Sequence, residues 1–172
     1  LMECLVFARK MSSIVLNDFP KFAKFDRSFQ EFDIEDPKEE QISKIAEKID
    51  ELRKLCWLNL GVSRNKLNMS KFLNFIDDDI DKLHNNALLN SLEKIKFDQR
   101  IKLSEPNRRA LNLLLDLKNR QITTLTLLKA CLFREESRGG HHRDDFPDKD
   151  KNWECHTRQQ LDQKIYKRFI EN

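Results

Sequence analysis

The chain has 172 residues, with 32 Lys and Arg against 29 Asp and Glu and a net charge of +3. Only 3 Gly and 4 Pro are present, so a dinucleotide-binding Gly-rich turn or a phosphate-cradling loop can be written nowhere in it, and a many-stranded sandwich lacks its turn residues. Acids and bases are interleaved, which argues against nucleic-acid binding, and no apolar run is long enough to cross a membrane. Glu3 and Arg9 interrupt the N-terminal apolar stretch, so it does not read as a signal peptide. Cys4, Cys56, Cys131 and Cys155 lie far apart without a C-x-x-C pair, which fits a cytoplasmic protein with reduced thiols.

Taken in order, Leu1, Leu5, Val6, Met11, Ile14 and Val15 predict a helix over 1–16, apolar around much of its circumference. Residues 17–37 form a connecting arm, with Phe19, Phe22, Phe25, Phe29 and Phe32 laid along it. Asp36 and Pro37 then read as the cap and first position of a helix with Glu39 and Glu40 in its first turn. Its stripe is Ile42, Ile45, Ile49, Leu52 and Cys56, and Gly61 reads as its left-handed cap. A further helix starts near Asn68 or Met69, with Phe72, Ile76, Ile80 and Leu83 inward and Asp77, Asp78 and Asp79 largely outward. Residues 88–103 fit either a continued helix or a break near Asn90. The longest helix is capped at Ser104 or Glu105, its stripe of Leu111, Leu114, Ile122, Leu125, Leu128 and Leu132 runs to about Ser137, and Gly139-Gly140 stop it. Trp57 and Trp153 read as packing anchors and His84 as a rim residue.

The fold class is therefore all-α: an antiparallel, spectrin-like up-down-up three-helix bundle over 38–138, with an extra N-terminal helix. An irregular tail over 139–172 follows, in which Leu161–Ile170 is either a strand or a short helix.

The densest polar cluster runs from Arg134 to Pro147. One reading is a metal site using His141, His142, Cys155 and His156 with Asp144 and Asp145, although no spacing matches a zinc pattern. A second is an anion site built from Arg134, Arg138 and Arg143 around the Gly-Gly turn. A third pairs those arginines with Glu135, Glu136, Asp144 and Asp145, pinning the loop to the helix end. Cys155-His156 would be a nucleophile and base only if sequence neighbours faced one another, which they rarely do. None of these amounts to an active site.

Arg134-Glu135-Glu136-Ser137-Arg138-Gly139-Gly140-His141, then Arg143-x-Asp145-Phe146-Pro147, then Trp153 and His156, resembles the C-terminal helical domain of the succinate dehydrogenase, fumarate reductase and L-aspartate oxidase flavoprotein family. Leu1–Phe7 resembles the helix after that family's last flavin-contacting turn. Glu51–Trp57 followed by Gly61-Val62-x-Arg64 resembles the start of its three-helix bundle, with wording nearest the L-aspartate oxidase branch. The resemblance implies that 1–16 is the remnant of the last flavin-domain helix. It implies a parent that oxidises L-aspartate to iminoaspartate with FAD, at the first step of NAD biosynthesis. The substrate-binding residues would lie upstream, so these 172 residues would be a structural domain, inactive and without bound FAD on their own. Leu1 would be a remnant of flavin contact. Arg134, Ser137, Arg138, Gly139, Gly140, His141, Arg143 and Asp145 would form an interdomain loop facing the flavin and capping domains. The broad apolar face of 1–16 would favour self-association of the separated fragment. The alternatives are the same domain of a fumarate reductase or succinate dehydrogenase flavoprotein, or a stand-alone helical interaction module.

Overall fold

A computed structural model describes residues 29–31, 34–95, 100–160 and 163–169. The helix expected over 1–16, with Leu1 and Cys4, and most of the Phe-bearing arm lie outside the described residues. In chain order the elements are strand β1 (Phe29–Glu31), helix α1 (Glu39–Leu60), strand β2 (Ser63–Arg64), helix α2 (Lys66–His84), helix α3 (Ala87–Leu92) and strand β3 (Arg100–Lys102). Helix α4 (Glu105–Phe133), strand β4 (His142–Arg143), a 3-10 turn (Lys151–Trp153), β5 (Cys155–Arg158) and β6 (Tyr166–Phe169) complete the order. The chain is mostly helical, as its apolar periodicity requires.

The chain divides into two compact units. Within the smaller, β1 and β3 pair in parallel, with Phe29 opposite Arg100 and Glu31 opposite Lys102. The larger unit contains α1, α2, α3 and α4 and two more short sheets. β2 and β4 are parallel, Ser63 opposite His142 and Arg64 opposite Arg143. β5 and β6 are antiparallel, from Cys155 opposite Phe169 to Arg158 opposite Tyr166. Periodicity left the last stretch open; antiparallel partners make Tyr166–Phe169 a strand.

Helix ends differ from the sequence expectations at several points. Asp36 does not cap α1. The first helical residue is Glu39, and the Lys38 N–H donates to Gln41 Oε1 at 2.8 Å. Asp36 instead accepts hydrogen bonds from Ser104 Oγ and from Asn107 Nδ2 (2.9 Å), tying the segment before α1 to the start of α4. Ser104 Oγ in turn accepts from the Asn107 N–H at 3.2 Å, as an N-cap should. Gly61 is not a left-handed cap; its φ is −64°. Glycine is needed there for space, because a Cβ would collide with the Trp57 carbonyl oxygen. α2 begins at Lys66, where Asn65 Oδ1 accepts from the Asn68 N–H at 2.9 Å. Asn86 restarts the chain as α3, its side chain accepting from Leu88 and Leu89 N–H groups at 3.0 and 3.2 Å.

The main core joins Ile49, Leu52 and Leu60 of α1, Met69, Phe72 and Ile76 of α2, and Leu117, Leu128 and Cys131 of α4. A second cluster joins Ile42, Leu88, Leu89, Ala110 and Leu114. Asp79 is drawn inward rather than outward: it accepts from Nε2 of the buried Gln121 at 2.6 Å and lies 3.5 Å from Lys48 Nζ. Trp57 is no anchor, being 73% exposed. It follows Cys56 by one residue, a rotation of about 100° around the helix that carries it off the inner stripe. Trp153 is buried, edge-on to Phe133 at 5.3 Å. No helix among the described residues is long and apolar enough to cross a membrane.

Leu128 is fully buried at the centre of the main core. Leu128→Ala is expected to destabilise the chain by about 2–5 kcal/mol, read as a lowered urea midpoint.

Candidate functional site

The residues of the family-like signature converge beyond the C-terminal end of α4. Chemistry explains why that helix stops at Phe133, four residues before the expected Ser137. The last carbonyls of a helix have no intrahelical donors. Here they receive the guanidinium of Arg143, which is wholly buried. Its Nη1 donates to the carbonyl oxygens of Cys131 (2.8 Å) and Arg134 (3.2 Å). Its Nε and Nη2 donate to the two oxygens of Asp145 at 2.7 and 2.6 Å, a bidentate pair. Asp145 Oδ2 also accepts from the Lys66 N–H at 3.1 Å, in the first turn of α2. Arg143 and Asp145 thus connect the negative end of α4 to the positive end of α2, each charge complementing the dipole that it meets. The Arg143 guanidinium also lies 4.9 Å from the Phe146 ring.

Glu136 organises the second half of the cluster. It is fully buried and accepts from Arg134 Nε (2.9 Å), Arg138 Nε (2.8 Å) and the Asp150 N–H (3.0 Å). Burial alone would raise its carboxyl, but these donors outweigh burial and hold it down at about 2. Arg134 reaches further, to the carbonyls of Trp153 (2.7 Å) and Cys155 (3.2 Å). Asp145 is likewise held at about 2, chiefly by its bonds from Arg143. Ser137 Oγ accepts from the Arg143 N–H at 2.8 Å and donates to the Phe146 carbonyl at 2.8 Å.

The Gly-Gly turn does not stop α4; it folds the loop back on itself. Arg138 and His141 exchange backbone hydrogen bonds at 2.8 and 3.0 Å, and Gly139 adopts φ 59°, where a side chain would be strained. Gly140 places its carbonyl 3.3 Å from Arg64 Nη1. The same guanidinium donates to His141 Nδ1 at 3.2 Å, so the ring proton sits on Nε2 and is donated to the Arg134 carbonyl at 3.2 Å. Burial, with Arg64, Arg143 and Arg134 close by, lowers the His141 pKa and keeps the ring neutral.

The structure therefore gathers Arg134, Ser137, Arg138, His141, Arg143 and Asp145 into one network around a Gly139-Gly140 turn. Arg64 belongs to it too, through β2, and only its place in the Gly61-Val62-x-Arg64 stretch hinted at that. Glu135 and Asp144 do not take the arginines: Glu135 is exposed, and Asp144 faces Ser63 Oγ and, at 3.5 Å, His142 Nε2. His156 is exposed on β5 while Cys155 is buried. Among the described residues no three His, Cys, Asp or Glu are grouped to hold a metal ion. The guanidiniums proposed for an external anion are instead engaged with Glu136, Asp145 and backbone carbonyls.

This is a helical domain closed by a buried ionic joint, and the comparisons say which one. Residues 49–169 match the family described as fumarate reductase flavoprotein C-terminus, and the chain belongs to that family. It is 28% identical over 162 residues to the L-aspartate oxidase of Synechocystis sp., covering 91% of this chain and 28% of that protein. It is 26% identical to an uncharacterized FAD-dependent oxidoreductase of Methanocaldococcus jannaschii, covering 77% of this chain and 25% of the relative. Over 110 residues it is 32% identical to a fumarate reductase (CoM/CoB) polypeptide of Methanothermobacter marburgensis, covering 63% of this chain and 17% of that relative. The chain thus spans about a quarter of the length of these relatives, or less. No solved structure matches it.

The FAD implied by the family finds no free anion cradle at the N-termini of α2, α3 and α4 or at the arginines of the signature. The N-termini of α2, α3 and α4 are taken by Asn65, Asn86 and Ser104, and the arginines of the signature by internal partners.

Arg143→Ala is expected to cost about 3–5 kcal/mol, the penalty for breaking a buried ion pair. Arg143→Lys should recover little of that loss, because an ammonium cannot bridge two carboxylate oxygens and a helix end together; urea unfolding of the two variants tests both. The pH response has two parts. Glu136 and Asp145 stabilise fully above their ordinary values of 4.5 and 3.8, and that contribution is lost as the pH falls towards about 2. His141, held neutral when folded, makes stability fall as the pH drops below its ordinary 6.5. His141→Gln should flatten the urea midpoint between pH 7.5 and 5.5 (roughly the histidine range) and leave the acid limb in place.

Proposed function

We propose that the chain is the C-terminal structural domain of an L-aspartate oxidase: a cytoplasmic, FAD-dependent enzyme that oxidises L-aspartate to iminoaspartate at the first step of NAD biosynthesis. The observation that carries this reading is the likeness to the L-aspartate oxidase of Synechocystis sp. over 91% of the chain. Relatives of the same name in Pyrococcus furiosus and Nostoc sp. cover 86% and 91% of it. The geometry supports a structural role, because Arg134, Arg138 and Arg143 of the signature are engaged by Glu136, Asp145 and backbone carbonyls within the domain. FAD and aspartate would be held by the flavin and capping domains of the full-length protein. The Arg138 loop would brace the helical domain against them, and the 172 residues alone would have no activity. The apolar residues of 1–16 support self-association of the separated domain, which sedimentation at rising concentration reads directly.

The second reading is the same domain of a fumarate reductase, favoured by the 32% identity to the Methanothermobacter relative. A full-length protein containing this chain separates the two. L-aspartate-dependent formation of peroxide or reduction of fumarate is expected, with none from the 172 residues alone. Fumarate reduction by an artificial electron donor without aspartate oxidation would select the second reading. In that full-length protein, Arg138→Ala should lower thermal stability and FAD retention and leave the KM for aspartate nearly unchanged. A selective rise in KM at constant stability would place Arg138 against substrate instead.

A further inference from the structure

An open groove runs between α1 and α4 and ends at the β2 turn and Gly140. Above the buried Leu52 and Leu60, four exposed large apolar side chains line it: Trp57 and Leu58 of α1, Val62 after Gly61, and Leu127 of α4. They are 73%, 69%, 78% and 46% exposed. Single exposed apolar residues are ordinary, but a tryptophan grouped with three aliphatic neighbours in one depression is the composition of an interface centre. The border is basic. Asp50 is engaged by Arg53 at 3.2 Å and Arg120 by Asp116 at 2.8 Å, while Lys54 and Arg64 pair with no carboxylate among the described residues. Arg64 is fixed by the carbonyls of Leu60 and Gly140 and by His141, so its charge is held at the groove's end by the same network that locks the helices.

We propose that this groove is the docking surface for the flavin-binding portion of the same full-length protein, which would present an apolar surface bordered by carboxylates. The inference rests on the flavoprotein reading above. Two observations choose this occupant. The chain accounts for only 17–28% of the length of its relatives, so a large remainder must meet the helical domain somewhere. The groove also lies wholly within the matched residues 49–169 and adjoins the Gly140 turn of the signature.

Footprinting by hydroxyl radicals, comparing the 172-residue chain with the full-length flavoprotein that contains it, tests this directly. Trp57 should be modified readily in the chain alone and protected in the full-length protein. In the full-length protein, Trp57→Glu and Leu127→Glu should each speed FAD loss by about tenfold or more, the scale of a disrupted interface anchor. Leu67→Glu, on an exposed side chain outside the groove, should not. Trp57→Glu should leave the melting temperature of the 172-residue chain unchanged, separating docking from folding. Equal modification of Trp57 in both proteins, with FAD loss unaltered in the variants, overturns the proposal and leaves the flavoprotein reading standing. Protection of Trp57 in the chain alone that grows with concentration would make a second copy the occupant. Protection there that disappears when residues 1–28 are deleted would make the chain's own N-terminal segment the occupant; either result also overturns the proposal. A full-length protein that binds no flavin would instead remove the underlying reading, and this inference with it.

Discussion

The buried guanidinium of Arg143 is the constraint on which the larger unit depends. A charge taken fully out of water is tolerable only when its donors are satisfied, and here they meet the carbonyls of Cys131 in α4 and of Arg134 just after it, and both oxygens of Asp145. Each acceptor had a deficit of its own. The carbonyls at the end of α4 had run out of helical donors, and Asp145 gains a second partner at the start of α2. Four separate costs are thereby cancelled by one side chain. Lysine would supply the charge without the fork, so geometry as well as charge fixes the residue.

Around that joint the other polar residues fall into an order. Glu136 collects Arg134, Arg138 and the Asp150 N–H, which pulls the 3-10 turn and Trp153 onto the end of α4. Trp153 is then covered on one face by Lys167 of β6, its ammonium 3.4 Å from the ring centre. His141 can serve only as a neutral ring, with one nitrogen accepting from Arg64 and the other donating to Arg134. A charged imidazole would lose the first bond and face three guanidiniums. The loop is polar in composition, yet Glu136 and Arg143 are wholly buried in it, their charges answered inside the domain.

The helices were legible in the sequence because apolar residues recur at three and four along α1, α2 and α4, and burial follows the expected stripes at Ile49, Leu52, Phe72, Ile76, Leu114 and Leu128, whereas on α4 the expected Ile122 is exposed and Leu117, Gln121 and Thr124 take the inner face instead. Their ends were less legible, because a cap depends on what lies opposite in space. Asp36 has the right chemistry to cap α1, but Ser104 and Asn107 offer it donors that are far away in sequence. The end of α4 was misplaced because the true terminator is Arg143, not the glycines. The joint was legible only as a long, irregular signature. Nothing in the spacing of Arg134, Arg138 and Arg143 says that the first two share Glu136 while the third takes Asp145. Trp57 was misread because a tryptophan beside an apolar stripe looks like core, and only the turn of the helix puts it outside.

The pairing of β2 with β4 also has a consequence for synthesis. Seventy-nine residues separate Lys66 from Asp145, so α1 and α2 are complete on the ribosome long before their fastening exists. Until residue 145 emerges, the α2 N-terminus lacks its carboxylate, and Met69 and Ile76 wait for Leu117, Leu128 and Cys131 of α4. Non-local contacts of this kind delay closure and leave apolar surface open in the meantime. A chain cut short before Arg143, by a premature stop or a stalled ribosome, would keep every apolar stripe and still lack its fastening.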